Sequence, residues 1–217
     1  MPRLSSAALL IVLALLLTGC QGGTTPSGSP SESSSTTASP TSSASVPAAS
    51  ATPESPGSPP ASAVYKPADA KGKAQNVPVP VMPELAKENS KAGLEAFIRY
   101  WYAQLSYVDE TGDVSSWLPL ISEDCRLCLR LRESAEDGYT DGRWLMGGKI
   151  SVPVVEVLWR DDSIQSAKVQ VIQQQIDYYN ADGSIGRSSS EASNDAFAFF
   201  AKYVNDSWIV VDLGVIA

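Results

Sequence analysis

The chain has 217 residues, a formal charge of −8, three cysteines and no histidine. The missing histidine excludes Ser-His-Asp and Cys-His catalysis, His-ligated zinc and imidazole-based pH sensing. An acidic chain without a Lys/Arg cluster also lacks the phosphate-neutralising surface of a nucleic-acid binder, and any hold on a membrane must come from an anchor rather than from a basic face.

Arg3 supplies a short positive start, and Ala7 to Leu17 is an unbroken apolar run of 11 residues. That is too short to span a bilayer, which takes about 20 residues, and it suits the apolar core of a signal peptide. The run closes on Leu17-Thr18-Gly19-Cys20, which resembles the lipobox of bacterial lipoproteins. The resemblance implies lipidation of Cys20 and removal of residues 1–19. An ordinary secretory signal would instead leave a free, exposed thiol beside the cleavage site, an awkward arrangement chemically. Two acyl chains suffice for stable anchoring.

Residues 20–64 read as a stalk. Of the 42 residues from Gly22 to Ala63, only Glu32, Val46 and Glu54 are not Gly, Ala, Ser, Thr or Pro. Such a segment has nothing to bury and cannot offset its ordering entropy. It would span roughly 35 Å as a flexible coil and about 130 Å as extended polyproline II.

Residues 65–217 are long enough for one domain with a real core. Tyr65 to Val81 is an extended lead-in containing Pro67, Pro78 and Pro80. A helix opens at Pro83 or restarts with Ser90 as its cap. Leu94, Phe97, Ile98, Trp101, Leu105 and Val108 then follow helical spacing, and Thr111-Gly112-Asp113 ends the helix. A second helical stretch is expected over Ser115 to Leu120, and a third after a Ser122-Glu123-Asp124 cap.

From Gly147 the pattern changes to period two. Ile150 to Trp159 reads as a strand bulged near Pro153. Lys168 to Tyr179 reads as one long strand, followed by a hairpin turn at Asn180 to Gly183. Ala196 to Val204, a tight turn at Asn205-Asp206, and Trp208 to Ile216 complete the chain.

Helices followed by antiparallel strands make an α+β fold, the long helix covering one face of a strongly curved antiparallel sheet. This order resembles the cone-shaped fold of the nuclear transport factor 2-like superfamily. Within it, the run Tyr107-Val-Asp-Glu-Thr-Gly-Asp113, the run Ile121-Ser-Glu-Asp-Cys125-Arg-Leu-Cys128, the lead-in Asn76-Val-Pro-Val-Pro80 and the helix Ala92-Gly-Leu-Glu-Ala-Phe97 resemble an actinobacterial lipoprotein family of unknown function. The resemblance implies a fold and an envelope location, and no activity.

Cys125 and Cys128 are the sharpest local motif. A structural disulfide is favoured, because lipidation of Cys20 leaves an even pair in an oxidising compartment. A thioredoxin-like site would want the motif after a strand in a βαβ unit, and zinc would need two further ligands. Gln173, Gln175 and Asp177 are expected on one strand face with Val169 and Val171, lining the concave side of the sheet as a candidate pocket, while Ile172, Ile176 and Tyr178 share the other face. The bland reading is a solvent-facing strand side. Tyr203 and Asp177 are the kinds of residue that cone-fold isomerases use.

No catalytic, metal or cofactor motif stands out. The reading is therefore a lipid-anchored module on the outer face of the cell membrane that binds a small molecule, a wall fragment or an envelope protein. Two alternatives are a cone-fold enzyme with an Asp or Glu base, and a purely structural envelope protein whose cone is filled.

Overall fold

A computed structural model describes residues 64–216. The expected signal peptide, Cys20 and nearly all of the stalk lie outside the described residues. No helix among the described residues is long and apolar enough to cross a membrane.

The lead-in is extended and doubles back on itself, with Lys66 and Gln75 exchanging backbone hydrogen bonds of 2.8 and 2.9 Å. Both expected helix starts occur. Pro83 precedes a short 3-10 turn, Glu84–Lys87, and Ser90 then caps α1, Lys91–Thr111, by accepting the Gly93 N–H at 3.0 Å. Leu94, Phe97, Ile98, Trp101, Tyr102, Leu105 and Val108 form its buried stripe. Gly112 closes the helix, its N–H donating to the Val108 carbonyl.

The second helical stretch shrinks to a 3-10 turn, Leu118–Leu120, because Pro119 cannot donate a backbone hydrogen bond to continue it. The third is α2, Arg126–Tyr139, and Cys125 rather than the Ser122–Asp124 cluster occupies its cap position. That cluster forms the preceding turn, in which the Asp124 N–H donates to Ser122 Oγ at 3.2 Å. Ser122 also donates its N–H to the Val210 carbonyl at 2.8 Å, which ties the start of α2 to the last strand.

Seven strands follow: β1 Trp144–Gly147, β2 Ile150–Leu158, β3 Ile164–Gln173, β4 Ile176–Tyr179, β5 Ile185–Ser190, β6 Ser193–Val204 and β7 Ser207–Ile216. Two sheets result, ordered β1-β4-β5 and β2-β3-β6-β7, and all their strand pairs are antiparallel. They are two halves of one bent ribbon. Gly147 pairs with Ile176 and Ile150 with Gln173, while Ile176 pairs with Ser190 and Gln173 with Ser193, so the register runs unbroken through the bend. Backbone bonds from Gly148 N to Gln175 O (2.9 Å) and from Gln174 N to Lys149 O (3.0 Å) stitch the crease. The register shift between Ser151 and Val154 places the expected bulge at Pro153.

The expected strand Lys168 to Tyr179 is therefore β3 and the short β4, separated by a crease at Gln174-Gln175. Its cause lies across the ladder. Gly147 and Gly148 have φ of +85° and +72°, a conformation that costs glycine little and other residues much. A Cβ on Gly147 would sit 2.2 Å from the Gln175 carbonyl oxygen. The core lies between α1 and the inner face of the larger sheet, where Trp101, Trp117, Phe199 and Val210 are fully buried. This is the expected α+β architecture of helices on a strongly curved antiparallel sheet.

The crease yields a direct test. Gly147→Ala should cost at least about 2 kcal/mol, whereas Gly72→Ala, with nothing within 4 Å of its added Cβ, should change stability by no more than about 0.5 kcal/mol. Urea unfolding of the two variants measures the difference.

Candidate functional site

The bend opens a cavity of about 250 Å³ between the curved sheet and the two helices. Tyr102, Leu105 and Asp109 reach it from α1, and Leu127, Leu131 and Ser134 from one face of α2. The sheet contributes Ile150, Val171, Gln173, Ile176, Tyr178, Phe197 and Leu213 among others. Ser134 and Ser190, both lining residues and both exposed, mark where the cavity meets solvent.

Asp109 is its one ionisable carboxyl. It is half-buried in the cavity wall. Gln173 Nε2 donates to Asp109 Oδ2 at 3.0 Å and also approaches the Gly148 carbonyl at 3.4 Å. Burial pushes the Asp109 carboxyl up to about 7, although the Gln173 hydrogen bond works in the opposite direction. The Tyr139 hydroxyl donates to the Asp109 main-chain oxygen at 3.0 Å, which joins the C-terminal ends of the two helices. No Lys or Arg lines the cavity.

A second polar group is deeper. Tyr102 is 3% exposed, and its hydroxyl has no hydrogen-bond partner. Burial holds that phenol well above its usual range. Trp101 packs edge-on against its ring with centroids 4.9 Å apart.

A larger groove of about 410 Å³ runs between the lead-in and α1, lined in part by Tyr65, Pro78, Tyr107 and Glu110. Its acidic residue is already engaged, since the Tyr65 hydroxyl donates to Glu110. The inner cavity is the better candidate because its wall holds a carboxyl that has no ion-pair partner among the described residues. Among the described residues, no three His, Cys, Asp or Glu side chains gather as a metal-binding group.

The residues expected to form the pocket are dispersed. Gln173 does line the cavity with Val171. Gln175 and Asp177 instead turn outward, where Gln175 Nε2 and Ser189 Oγ donate to Asp177 Oδ1 at 2.8 and 2.5 Å. These bonds hold the exposed Asp177 carboxyl below its usual range. Strict alternation does not continue through Gln174-Gln175, because the crease resets it, so Ile176 and Tyr178 face inward with Gln173. Tyr203 lies at the opposite end of α1. Its hydroxyl donates to the Lys87 carbonyl at 2.8 Å and its ring meets Trp208 edge-on, so it braces the helix start.

Asp109 went unnoticed in the sequence, although a signal was present. It stands seven residues after Tyr102 and four after Leu105, a spacing that continues the apolar stripe of the long helix. A carboxylate on an apolar stripe asks for an explanation.

Cys125 and Cys128 form the expected disulfide, and both are fully buried. The bridge pins the first turn of α2, one residue from Leu127 in the cavity wall.

The family model described as a family of unknown function, DUF6318, matches residues 63–214. The chain belongs to the DUF6318 family. No curated protein matches it. Among solved structures, the intermembrane space region of the chloroplast protein ARC6 is 13% identical, with coverage of 60% of this chain and 98% of that one and a TM-score of 0.43. An uncharacterized protein with a cystatin-like fold from Caulobacter vibrioides is 11% identical, covering 57% and 87%, with a TM-score of 0.39. The beta subunit of the benzoate 1,2-dioxygenase from Burkholderia mallei is 12% identical, covering 59% and 90%, also at 0.39. These likenesses concern overall shape alone.

The raised Asp109 value has a definite sign. The folded chain holds this proton more tightly than the unfolded chain, whose carboxyl titrates near 3.8. The group therefore favours folding at low pH, and that contribution is lost as pH rises through about 7. Asp109→Asn should leave stability near pH 4 little changed and raise it near pH 8 by on the order of 3 kcal/mol, read from urea unfolding at the two pH values.

Proposed function

We propose that this DUF6318 chain is a lipid-anchored envelope protein whose outer domain binds a small molecule in the cavity beneath α1 and α2. The observation that carries the binding reading is the pairing of an apolar cavity with one carboxyl in its wall, Asp109, which has a Gln173 hydrogen bond and, among the described residues, no ion-pair partner. Concave, mostly apolar sites with a few placed polar groups are the general form of small-molecule sites. A purely structural protein would be expected to fill this space, because a cavity forfeits packing energy.

The anchoring half of the proposal rests on the sequence. The apolar run Ala7 to Leu17 and the following Leu17-Thr18-Gly19-Cys20 support lipidation at Cys20 and attachment to the outer face of the cell membrane. The Ser/Thr/Pro/Ala-rich segment after it would then hold the domain off the membrane. Cys20→Ser should move the protein from the detergent phase to the aqueous phase on partitioning of cell extracts; unchanged partitioning would remove the anchor from the proposal.

The binding half is tested by thermal shift of the purified full-length chain with indole and naphthol, two compact, mostly apolar probes. At concentrations of about 100 Kd, binding stabilises by about 2.7 kcal/mol, so Tm should rise by several degrees. Leu131→Trp, which fills the cavity from α2, should abolish that rise without unfolding the protein. Equal shifts in both proteins would place binding elsewhere, and no shift in either would count against a working pocket.

One observation favours a second reading, an enzyme using Asp109 as a base. Burial lifts its carboxyl to about 7, and a base with a pKa near the working pH is the most effective. Such a base should catalyse solvent deuterium exchange into a C–H-acidic ketone such as tetralone, followed by NMR, and Asp109→Asn should abolish it. No exchange above the buffer rate would set this reading aside for C–H acids.

A further inference from the structure

We propose that the ligand of this cavity is an organic ammonium ion on a compact apolar body, its nitrogen seated against Asp109; this rests on the cavity being a binding site. Folded proteins pair the charges that they bury, because an unpaired one keeps its desolvation cost. Among the described residues, the Asp109 carboxyl receives a hydrogen bond from Gln173 and has no ion-pair partner. No Lys or Arg lines the cavity that it faces. A carboxylate or phosphate ligand would meet like charge and no cation. An ammonium ion would supply the missing partner and form a charge-assisted hydrogen bond, the stronger kind.

The rest of the wall fits the body of such a molecule. Leu105, Leu131, Val171 and Leu213 are apolar, and Phe197 offers an aromatic ring to a cation, whereas the Tyr178 ring already carries the Arg187 guanidinium 3.7 Å from its centroid. At about 250 Å³ the cavity falls below the roughly 300–1,000 Å³ usual for drug-sized ligands, so the body is of one-ring or small two-ring size. Tyr102 stands two helical turns before Asp109, about 10 Å along the axis. Its hydroxyl has almost no accessible surface, so the ligand meets the ring of Tyr102 and not its hydroxyl.

Charge pairing makes binding depend on pH. The titratable groups around Asp109 are Glu110 beside it, Tyr102 on the same helix, Tyr139 on α2 and Tyr178 on β4. Burial raises the Tyr102 and Tyr139 phenols above their usual range, so they stay neutral while Asp109 titrates at about 7. An alkylammonium group stays charged throughout, as lysine does.

The test is calorimetric titration of the full-length chain with three probes on one carbon skeleton: 3-phenylpropylamine, phenylpropanol and phenylpropanoate. At about pH 8 the amine should bind at least about tenfold tighter than either of the others, and its affinity should fall about tenfold at about pH 6. Asp109→Asn should erase both the preference and the pH dependence while phenylpropanol still binds. If phenylpropanol or phenylpropanoate binds as well as the amine, and Leu131→Trp blocks that binding, the cavity is a site and the ammonium inference is overturned. If no probe binds at either pH, the cavity reading fails and this inference fails with it.

Discussion

The bend in the sheet is the constraint on which the rest depends. A flat ribbon with this strand order would lie against α1 and leave no enclosed volume. Gly147 and Gly148 turn the chain through left-handed backbone conformations, and Gln174-Gln175 follow on the paired strand without losing a register step. Continuous register matters energetically. The backbone bonds that cross the crease keep polar groups paired where the strands would otherwise end. The protein thus obtains a concave surface without leaving unpaired peptide groups at its floor.

Helix α1 is fitted to that crease. Ser106 Oγ accepts the Ile150 N–H at 3.2 Å, just past the bend, and Gln173 reaches both Asp109 and the Gly148 carbonyl. The C-terminal turns of the helix and the glycine pair are therefore one connected structure. At the other end, Trp208 Nε1 donates to the Glu88 carbonyl at 3.0 Å beside the Tyr203 contact. The helix is fastened by hydrogen bonds at both ends and by apolar packing between. Helix α2 is held by its disulfide at one end and by Tyr139 at the other, and its Leu127–Leu131–Ser134 face forms the remaining wall.

In this frame a half-buried carboxyl in an apolar wall is an expense that a purely structural design would avoid. An Asn or Leu at position 109 would satisfy packing with less desolvation cost. Holding Asp109 where burial drives its titration to about 7 makes sense when something outside the domain interacts with it, which is why the cavity rather than the larger groove along the lead-in is the site proposed.

Much of the molecule was legible from local patterns. The Ser90 cap, the stripe from Leu94 to Val108, the Pro153 bulge, the Asn180–Gly183 turn and the Cys125–Cys128 pairing are each set by residues within a few positions of one another, and short-range physics suffices for them. What the sequence alone left open was the crease, and with it the site. Alternation along Val169 to Asp177 assigns faces only while the strand stays pleated, and the bend that resets it is produced by two glycines nearly thirty positions away on the neighbouring strand. Asp109 and Gln173 come together because a helix ends above that bend. Their meeting, and the altered acidity of the carboxyl that follows from it, belong to the tertiary structure, where burial and distance between remote segments are decided.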